Sequence, residues 1–320
     1  MCYQVCNTTN FLDAVGPEHV AFFGVLVDLT TVRNLSKRPV SGAACYHPPM
    51  SANPVTQLPD RSTREQCKAI AIEAARKAGA ILVEYARKGF RIEHKDAVNL
   101  VTDADRRAEQ VTVEAISRAF PDHLVLAEER GLAGSQSPFK WVIDPLDGTT
   151  NFAHGFPAYC VSIGLEYQGQ CILGVVFDPT RHELFVGESG GGAFLNGHPI
   201  HVSGTPKLDA ALLVTGFAYD IRHSQQNNLD HFANFALRVQ GLRRIGAAAL
   251  DLCYVACGRF DGFWELKLHP WDMAAGTVIV QEAGGRMSDF GGMPLSIYGQ
   301  EIVASNGFIH DAMLAVLSGR

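Results

Sequence analysis

Two carboxylates stand three residues apart in the run Trp141-Val-Ile-Asp-Pro-Leu-Asp-Gly-Thr-Thr-Asn151. The apolar stretch before Asp144 reads as a buried strand that ends at Ile143. Pro145 holds Asp144 extended, because the proline ring crowds the helical region of the residue before it. A turn after Leu146, tightened by Gly148, lets Asp144, the Leu146 carbonyl and Asp147 converge on one point. Thr149 and Thr150 suit the opening of a helix, whose free N–H groups would face the same point. One short loop therefore offers oxygen ligands for a hard cation and amide donors for a phosphate. An ordinary Asp/Pro/Gly surface turn has no need of two acids placed directly after an apolar strand.

Three other acidic stretches could share that centre. Leu126-Ala-Glu-Glu-Arg130 puts Glu128 at the end of a short strand, although tandem glutamates at such ends are commonly just solvated. Val101-Thr-Asp-Ala-Asp105 puts acids at a helix start, where the macrodipole favours them in any case. Pro270-Trp-Asp-Met273 puts Asp272 at the start of a helix reaching Ala283; capping and cation binding can coexist there. The glycine-rich run Gly187-Glu-Ser-Gly-Gly-Gly-Ala-Phe-Leu-Asn-Gly197 lacks the Gly-Lys-Ser/Thr ending of a phosphate-binding P-loop.

The whole chain narrows the options. A formal net charge of −6 speaks against direct nucleic-acid binding and against an anionic membrane surface. It also sits awkwardly with an anionic substrate unless cations are held locally. No apolar run approaches the roughly 18 residues of a membrane span. The run from Val20 to Leu29 is short, contains Asp28 and precedes the first Lys or Arg, Arg33, so it makes a poor secretory signal. Eight cysteines show no paired framework, and Cys253 and Cys257 fall one helical turn apart on an apolar segment. A reducing, cytoplasmic setting is expected.

These groups need elements to position them. Residues 1–60 mix Pro, Ser, Asn and isolated cysteines without a period, and are expected to be a poorly ordered extension or a start-site artefact, with Met50 the true start. Cys2, Cys6, Cys45 and His47 fit no usual zinc spacing. From Ser62-Thr-Arg-Glu65, a capping-box pattern, helical spacing runs to about Lys88. A second helix is expected from Thr102 to Phe120, stopped by Pro121. Strand-like runs with hairpin punctuation follow at 124–126, 141–143, 161–167, 172–177 and 183–187. After Pro206 strand and helix alternate, with helices near 229–240, 247–257 and 273–283. Two halves are expected, 61–205 with an antiparallel sheet and the acidic loop, and 206–320 completing the site, in a layered α/β fold.

Asp144-Pro-Leu-Asp-Gly-Thr-Thr-Asn-Phe152, Pro270-Trp-Asp-Met-Ala-Ala-Gly276 and Glu282-Ala-Gly-Gly285 together resemble the inositol monophosphatase family. Lys95 with Asn99-Leu-Val-Thr102, Glu128-Glu129 and Gly246-Ala-Ala-Ala-Leu-Asp251 follow in the family's order, over roughly residues 65–318. The carboxylates are three apart rather than two, which separates the loop from the nucleophile motif of haloacid-dehalogenase-type phosphatases. The resemblance implies an alternating α-β-α-β-α sandwich, shared with fructose-1,6-bisphosphatase, and Mg²⁺-dependent hydrolysis of a small phosphate ester such as myo-inositol monophosphate. It implies two to three Mg²⁺ ions. One is held by Glu128, Asp144 and the Leu146 carbonyl, a second by Asp144, Asp147 and Asp272, and a weaker third by Glu128. Asp105 would orient Thr149, which with Glu128 prepares the attacking water. Gly148 and Thr149 would cradle the phosphate, and Asp147, Ala248, Glu265 and Asp272 would read the alcohol. Relatives often carry Ser or Thr where this chain has Ala247, so one sugar contact is expected to be missing. Lithium inhibition and a homodimer are further implications. The glycine-rich run is a hairpin in this family. The rival readings are a related phosphatase for fructose-1,6-bisphosphate, histidinol phosphate or a phosphoadenosine nucleotide, and a partner in transcription or ribosome biogenesis.

Overall fold

The computed structural model describes residues 57–94, 100–134 and 136–319, together with strands β1 (Ala21–Phe22) and β2 (Val25–Leu26), which pair antiparallel. Cys2, Cys6, Cys45, His47, Met50, Lys95, Asn99 and nearly all of the expected 1–60 extension lie outside the described residues. The chain divides into two units, Met1–Ser51 and Ala52–Arg320, and the second carries every element from α1 onward.

Helix α1 (Arg61–Lys88) starts two residues earlier than its sequence pattern suggests, with Asp60 rather than Ser62 at the cap. Asp60 caps it, accepting from the Thr63 amide at 2.9 Å and the Thr63 hydroxyl at 2.6 Å. The Ser62/Glu65 box does not form, because Glu65 is drawn to Arg61. Hairpin β3 (Ile92–His94) and β4 (Leu100–Thr102) then leads into α2 (Asp103–Ala119). Here a capping box is made: the Thr102 hydroxyl accepts from the Asp105 amide, and the Asp105 carboxylate accepts from the Thr102 amide at 2.8 Å.

Next come β5 (Leu124–Ala127), β6 (Gly131–Ala133), β7 (Phe139–Asp147), the short α3 (Thr149–Ala153), and β8 (Cys160–Tyr167). Strands β9 (Gln170–Asp178), β10 (Glu183–Glu188), β11 (Gly192–Leu195) and β12 (His198–Pro199) complete an eight-stranded sheet, ordered β12-β11-β10-β9-β8-β7-β5-β6. The pairing is antiparallel from β7 to β12, as the hairpin punctuation predicts, and parallel only between β5 and β7. The glycine-rich run is the β10–β11 hairpin, and its turn is gripped by Glu282, whose carboxylate accepts from the Gly190 and Gly192 amides.

The remaining elements are β13 (Leu212–Thr215), α4 (Leu229–Ala236), β14 (Gly241–Arg243), α5 (Ala248–Ala256), β15 (Gly262–Leu266), α6 (Pro270–Glu282), β16 (Arg286–Ser288), β17 (Glu301–Ser305) and α7 (His310–Leu317). Their strands form a second sheet, ordered β14-β13-β15-β17-β16. Helix α4 ends four residues before the expected Gln240, whose amide instead bonds the Ala211 carbonyl on the way into β14. Helix α6 begins at Pro270 rather than Met273, since proline at the first helical position sacrifices no hydrogen bond.

Layering follows from three apolar cores. Helices α1 and α2 cover one face of the large sheet; α5 and α6 fill the space between the two sheets; α4 and α7 cover the outer face of the second. The result is the alternating α-β-α-β-α arrangement. No helix among the described residues is long and apolar enough to cross a membrane. All five described cysteines are free thiols.

One seam decides where α6 lies. Gly164, Gly174 and Gly187 sit side by side on β8, β9 and β10, paired Gly164–Gly174 and Gly174–Gly187. They form a furrow without side chains, and α6 is pressed into it. A Cβ on Gly164 would come 2.6 Å from the Ala274 Cβ, and one on Gly187 2.8 Å from the Ile279 Cα. A Cβ on Gly174 would collide with the Ala275 carbonyl. Substituting Gly174→Ala should therefore cost about 3 kcal/mol, lowering the melting temperature by roughly 6–12 °C. Calorimetry checks this; a change below about 2 °C would mean that α6 is not seated as described.

Candidate active site

Strand β7 does not stop at Ile143 as its sequence suggests; it continues to Asp147 through a bulge between Asp144 and Asp147. Pro145 has no N–H to give the ladder, so pairing lapses there and resumes at Asp147, opposite Cys160. The bulge turns both carboxylates to the same side. Asp144 is held by the Leu146 amide at 2.9 Å. Gly148 follows in the left-handed region, φ 92°, with the Ala158 carbonyl so near that a Cβ would lie 2.9 Å from it. That glycine is required twice over, by φ and by space.

Asp147 is buried against the first turn of α5, accepting from the Ala248 amide at 3.2 Å and the Ala249 amide at 2.8 Å. It caps that helix from another part of the chain. The cap position itself, Ala247, has no side-chain acceptor. Cys160 adds a weak S–H donor to Asp147 at 3.6 Å. Asp272 comes from the opposite side, as the third residue of α6, its carboxylate fixed by the His269 amide at 2.7 Å. It is therefore not the helix cap; His269 holds that position. Ligand oxygens of Asp144, Asp147 and Asp272 lie within 4.8 Å of one another.

The remaining predicted residues gather here in two cavities. A cavity of about 180 Å³ is lined by Glu128, Asp144, Leu146, Asp147, Gly148, Thr149, Tyr219, His269, Trp271 and Asp272, with no Lys or Arg among them. Thr149 places its hydroxyl 3.2 Å from Asp105 and 3.0 Å from the Leu146 carbonyl. Asp105 stands behind it, fully buried. A second cavity of about 400 Å³ contains Glu265 and Ala248 and shares Asp147, Gly148 and Asp272 with the first. The Ala248 amide, though, is engaged by Asp147. Glu265 fits only because residue 216 is glycine: any Cβ there would strike its carboxylate.

The electrostatics are severe. Burial, together with the charges of Glu128, Asp147 and Asp272, pushes the Asp144 carboxyl well above its ordinary range. Burial and then Asp147 do the same to Asp272. Burial raises Asp147 to about 6, against the pull of the Ala249 amide. It raises Glu265 to about 8, opposed by Arg244, and Asp105 to about 6, opposed by Thr102. A cluster of carboxylates that lowers its own acidity needs positive charge to ionise. An all-oxygen donor set in a small cavity with no Lys or Arg among its described lining residues fits a hard divalent cation.

Sequence reasoning found the carboxylates but missed the amides of α5 that anchor Asp147, the thiol of Cys160, and Tyr219, His269 and Trp271 on the cavity wall. Trp271 stood in the recognised motif beside Asp272, and His269 directly before it; the others carry no local signal.

The family model of the inositol monophosphatase family matches residues 63–319. An inositol-1-monophosphatase from Synechocystis is 51% identical over 251 residues, covering 78% of this chain and 88% of its own. The Nus factor SuhB of Pseudomonas aeruginosa is 45% identical over 257 residues, covering 78% and 94%. The solved structure of an inositol monophosphatase from Anabaena superposes with a TM-score of 0.75 at 46% identity, covering 80% of this chain and 97% of that one.

The raised carboxyls have a consequence for stability. A buried acid with a raised folded-state value holds its proton more tightly folded than unfolded, so its penalty is absent below about 4 and fully present above its folded value. In EDTA the protein should thus lose stability as pH rises from about 4, the loss being complete at about 6 for Asp105 and Asp147 and at about 8 for Glu265. Adding a divalent cation should raise the melting temperature little at pH 5 and progressively more toward pH 8. A cation effect independent of pH would contradict the site.

Proposed function

The chain belongs to the inositol monophosphatase family, and we propose that it hydrolyses myo-inositol monophosphate, and related small phosphomonoesters, with Mg²⁺. Membership supports phosphatase function. The observation that carries the finer reading is the convergence of Asp144, Asp147 and Asp272 within 4.8 Å at the border of a larger cavity containing Glu265.

Glu128, Asp144 and the Leu146 carbonyl would hold one ion, Asp144, Asp147 and Asp272 a second, and Glu128 a weaker third. When bound, such ions supply positive charge to the phosphoryl oxygens and lower the pKa of the attacking water. The protein's own groups then have defined tasks. Thr149 donates its hydroxyl proton toward Asp105, which leaves its oxygen lone pairs turned outward to accept from that water. Glu128, on the same cavity wall, is the complementary base. The amides of Gly148 and Thr149, opening α3, donate to the phosphate. Beside them Glu265 reads the alcohol. Burial raises its value to about 8, so before any cation binds it holds a proton near neutral pH and can both donate and accept; once ionised it accepts from neighbouring hydroxyls. Ala248 contributes its methyl rather than its amide. No serine or cysteine nucleophile is needed.

A second reading has one observation in its favour: a relative 45% identical is named a Nus factor. This chain would then act in part by binding a transcription complex, with hydrolysis secondary. Co-purification of RNA polymerase components with the intact protein would support that role.

A substrate panel tests the primary reading. Phosphate release from inositol-1-phosphate should require Mg²⁺, fall with added lithium, and exceed in kcat/KM that from fructose-1,6-bisphosphate, histidinol phosphate and a phosphoadenosine nucleotide. A larger kcat/KM for any of those three would displace the inositol assignment. Substituting Asp147→Asn should lower kcat at least about a thousandfold while the protein stays folded by circular dichroism. Near-normal turnover would remove Asp147 from the site.

A further inference from the structure

The two cavities meet along a short border. Asp147, Gly148, Tyr219, His269 and Asp272 line both. In a phosphomonoester the bridging oxygen is the one atom shared by phosphate and alcohol. With the phosphate beside the carboxylates and the alcohol beside Glu265, that oxygen falls at the border.

Most of the border groups are already committed. Ionised Asp147 and Asp272 can only accept and Gly148 has no side chain, which leaves Tyr219 and the His269 ring, stacked on Trp271 with centroids 4.8 Å apart, as the side chains able to donate. Tyr219 brings a neutral O–H that makes no hydrogen bond among the described residues. Its side chain is 49% exposed overall. It nevertheless shares the smaller cavity with Glu128, Asp144, Asp147 and Asp272. A phenol ordinarily titrates at about 10, so its proton stays in place at neutral pH. The loop carrying it is tethered next door: Lys267 Nζ donates to Asp220 at 2.5 Å and to Ser224 at 2.8 Å.

We propose that Tyr219 is a further catalytic residue, donating a hydrogen bond to the bridging ester oxygen as the P–O bond breaks. The proposal rests on the phosphatase reading above. In the step, the water oxygen bonds to phosphorus, the electron pair of the P–O bond passes to the alcohol oxygen, and that oxygen takes up a proton from water. The phenol keeps its own proton and stabilises the charge while it develops.

Such a donor matters most for a poor leaving group. Tyr219→Phe removes the hydroxyl and keeps the ring. At saturating Mg²⁺ it should lower kcat on inositol-1-phosphate about 10- to 100-fold. On p-nitrophenyl phosphate, whose phenolate leaves unaided, the loss should stay below about threefold. KM for both esters and the Mg²⁺-induced rise in melting temperature should be unchanged. Equal losses on the two esters, no loss on either, or a weakened Mg²⁺ thermal response would each overturn the assignment. If the unaltered protein turns over neither ester, the phosphatase reading itself fails and this proposal with it; normal turnover with an indifferent Tyr219→Phe removes Tyr219 alone.

Discussion

Three carboxylates whose oxygens lie within 4.8 Å of one another cannot all ionise in a buried place unless positive charge is brought to them. Burial raises the values of Asp144, Asp147 and Asp272, the charge of Asp147 adds to the other two and that of Glu128 to all three, and no Lys or Arg among the described residues lines their cavity. Folding against that repulsion costs stability, and the cost makes sense only if cations offset it. The same demand would resolve the mismatch between an acidic chain, net charge −6, and an anionic phosphate ester, because bound cations would carry the sign that the surface lacks.

The architecture supplies the opposing forces that hold the acids in place. Asp144 and Asp147 share a bulge on β7, a buried strand paired on both sides. The first turn of α5 gives Asp147 two amide donors. Asp272 is delivered by α6, and α6 lies where it does because Gly164, Gly174 and Gly187 leave a furrow for it across three strands. Both helices belong to the layer between the two sheets, so the carboxylate cluster is fixed by the packing core. Rigid support of this kind keeps ligand geometry within the narrow tolerance that catalysis needs.

What could be read from the chain depended on how local the signal was. Asp144, Pro145, Asp147 and Gly148 are neighbours, so their joint purpose is legible, and Pro270 before Asp272 marks a helix start. The five-layer fold and the hairpin at 183–195 follow from motif and punctuation. The furrow was not legible, because three glycines separated by ten and more residues become adjacent only once strand register is known. Cys160 faces Asp147 across the bulge at Pro145, a pairing that appears only once the register of β7 against β8 is known. Helix ends were misread where a competing group won: Asp60 over Ser62 for α1, and the Ala211 carbonyl over helix continuation for α4. The role given to Ala248 changed, since its amide serves Asp147. Ala247, first noted for a missing sugar contact, proved to be the uncapped start of α5, whose opening amides Asp147 satisfies instead.

Manganese offers the most direct test, because it takes the oxygen ligands of magnesium and can be counted by electron paramagnetic resonance. Titrated into the metal-free protein, Mn²⁺ should bind at two or more sites per chain with dipolar coupling between them, be displaced by Mg²⁺, and lose the coupled pair in Asp144→Asn. A single uncoupled ion, or coupled binding that survives Asp144→Asn, would contradict a centre bridged by that carboxylate.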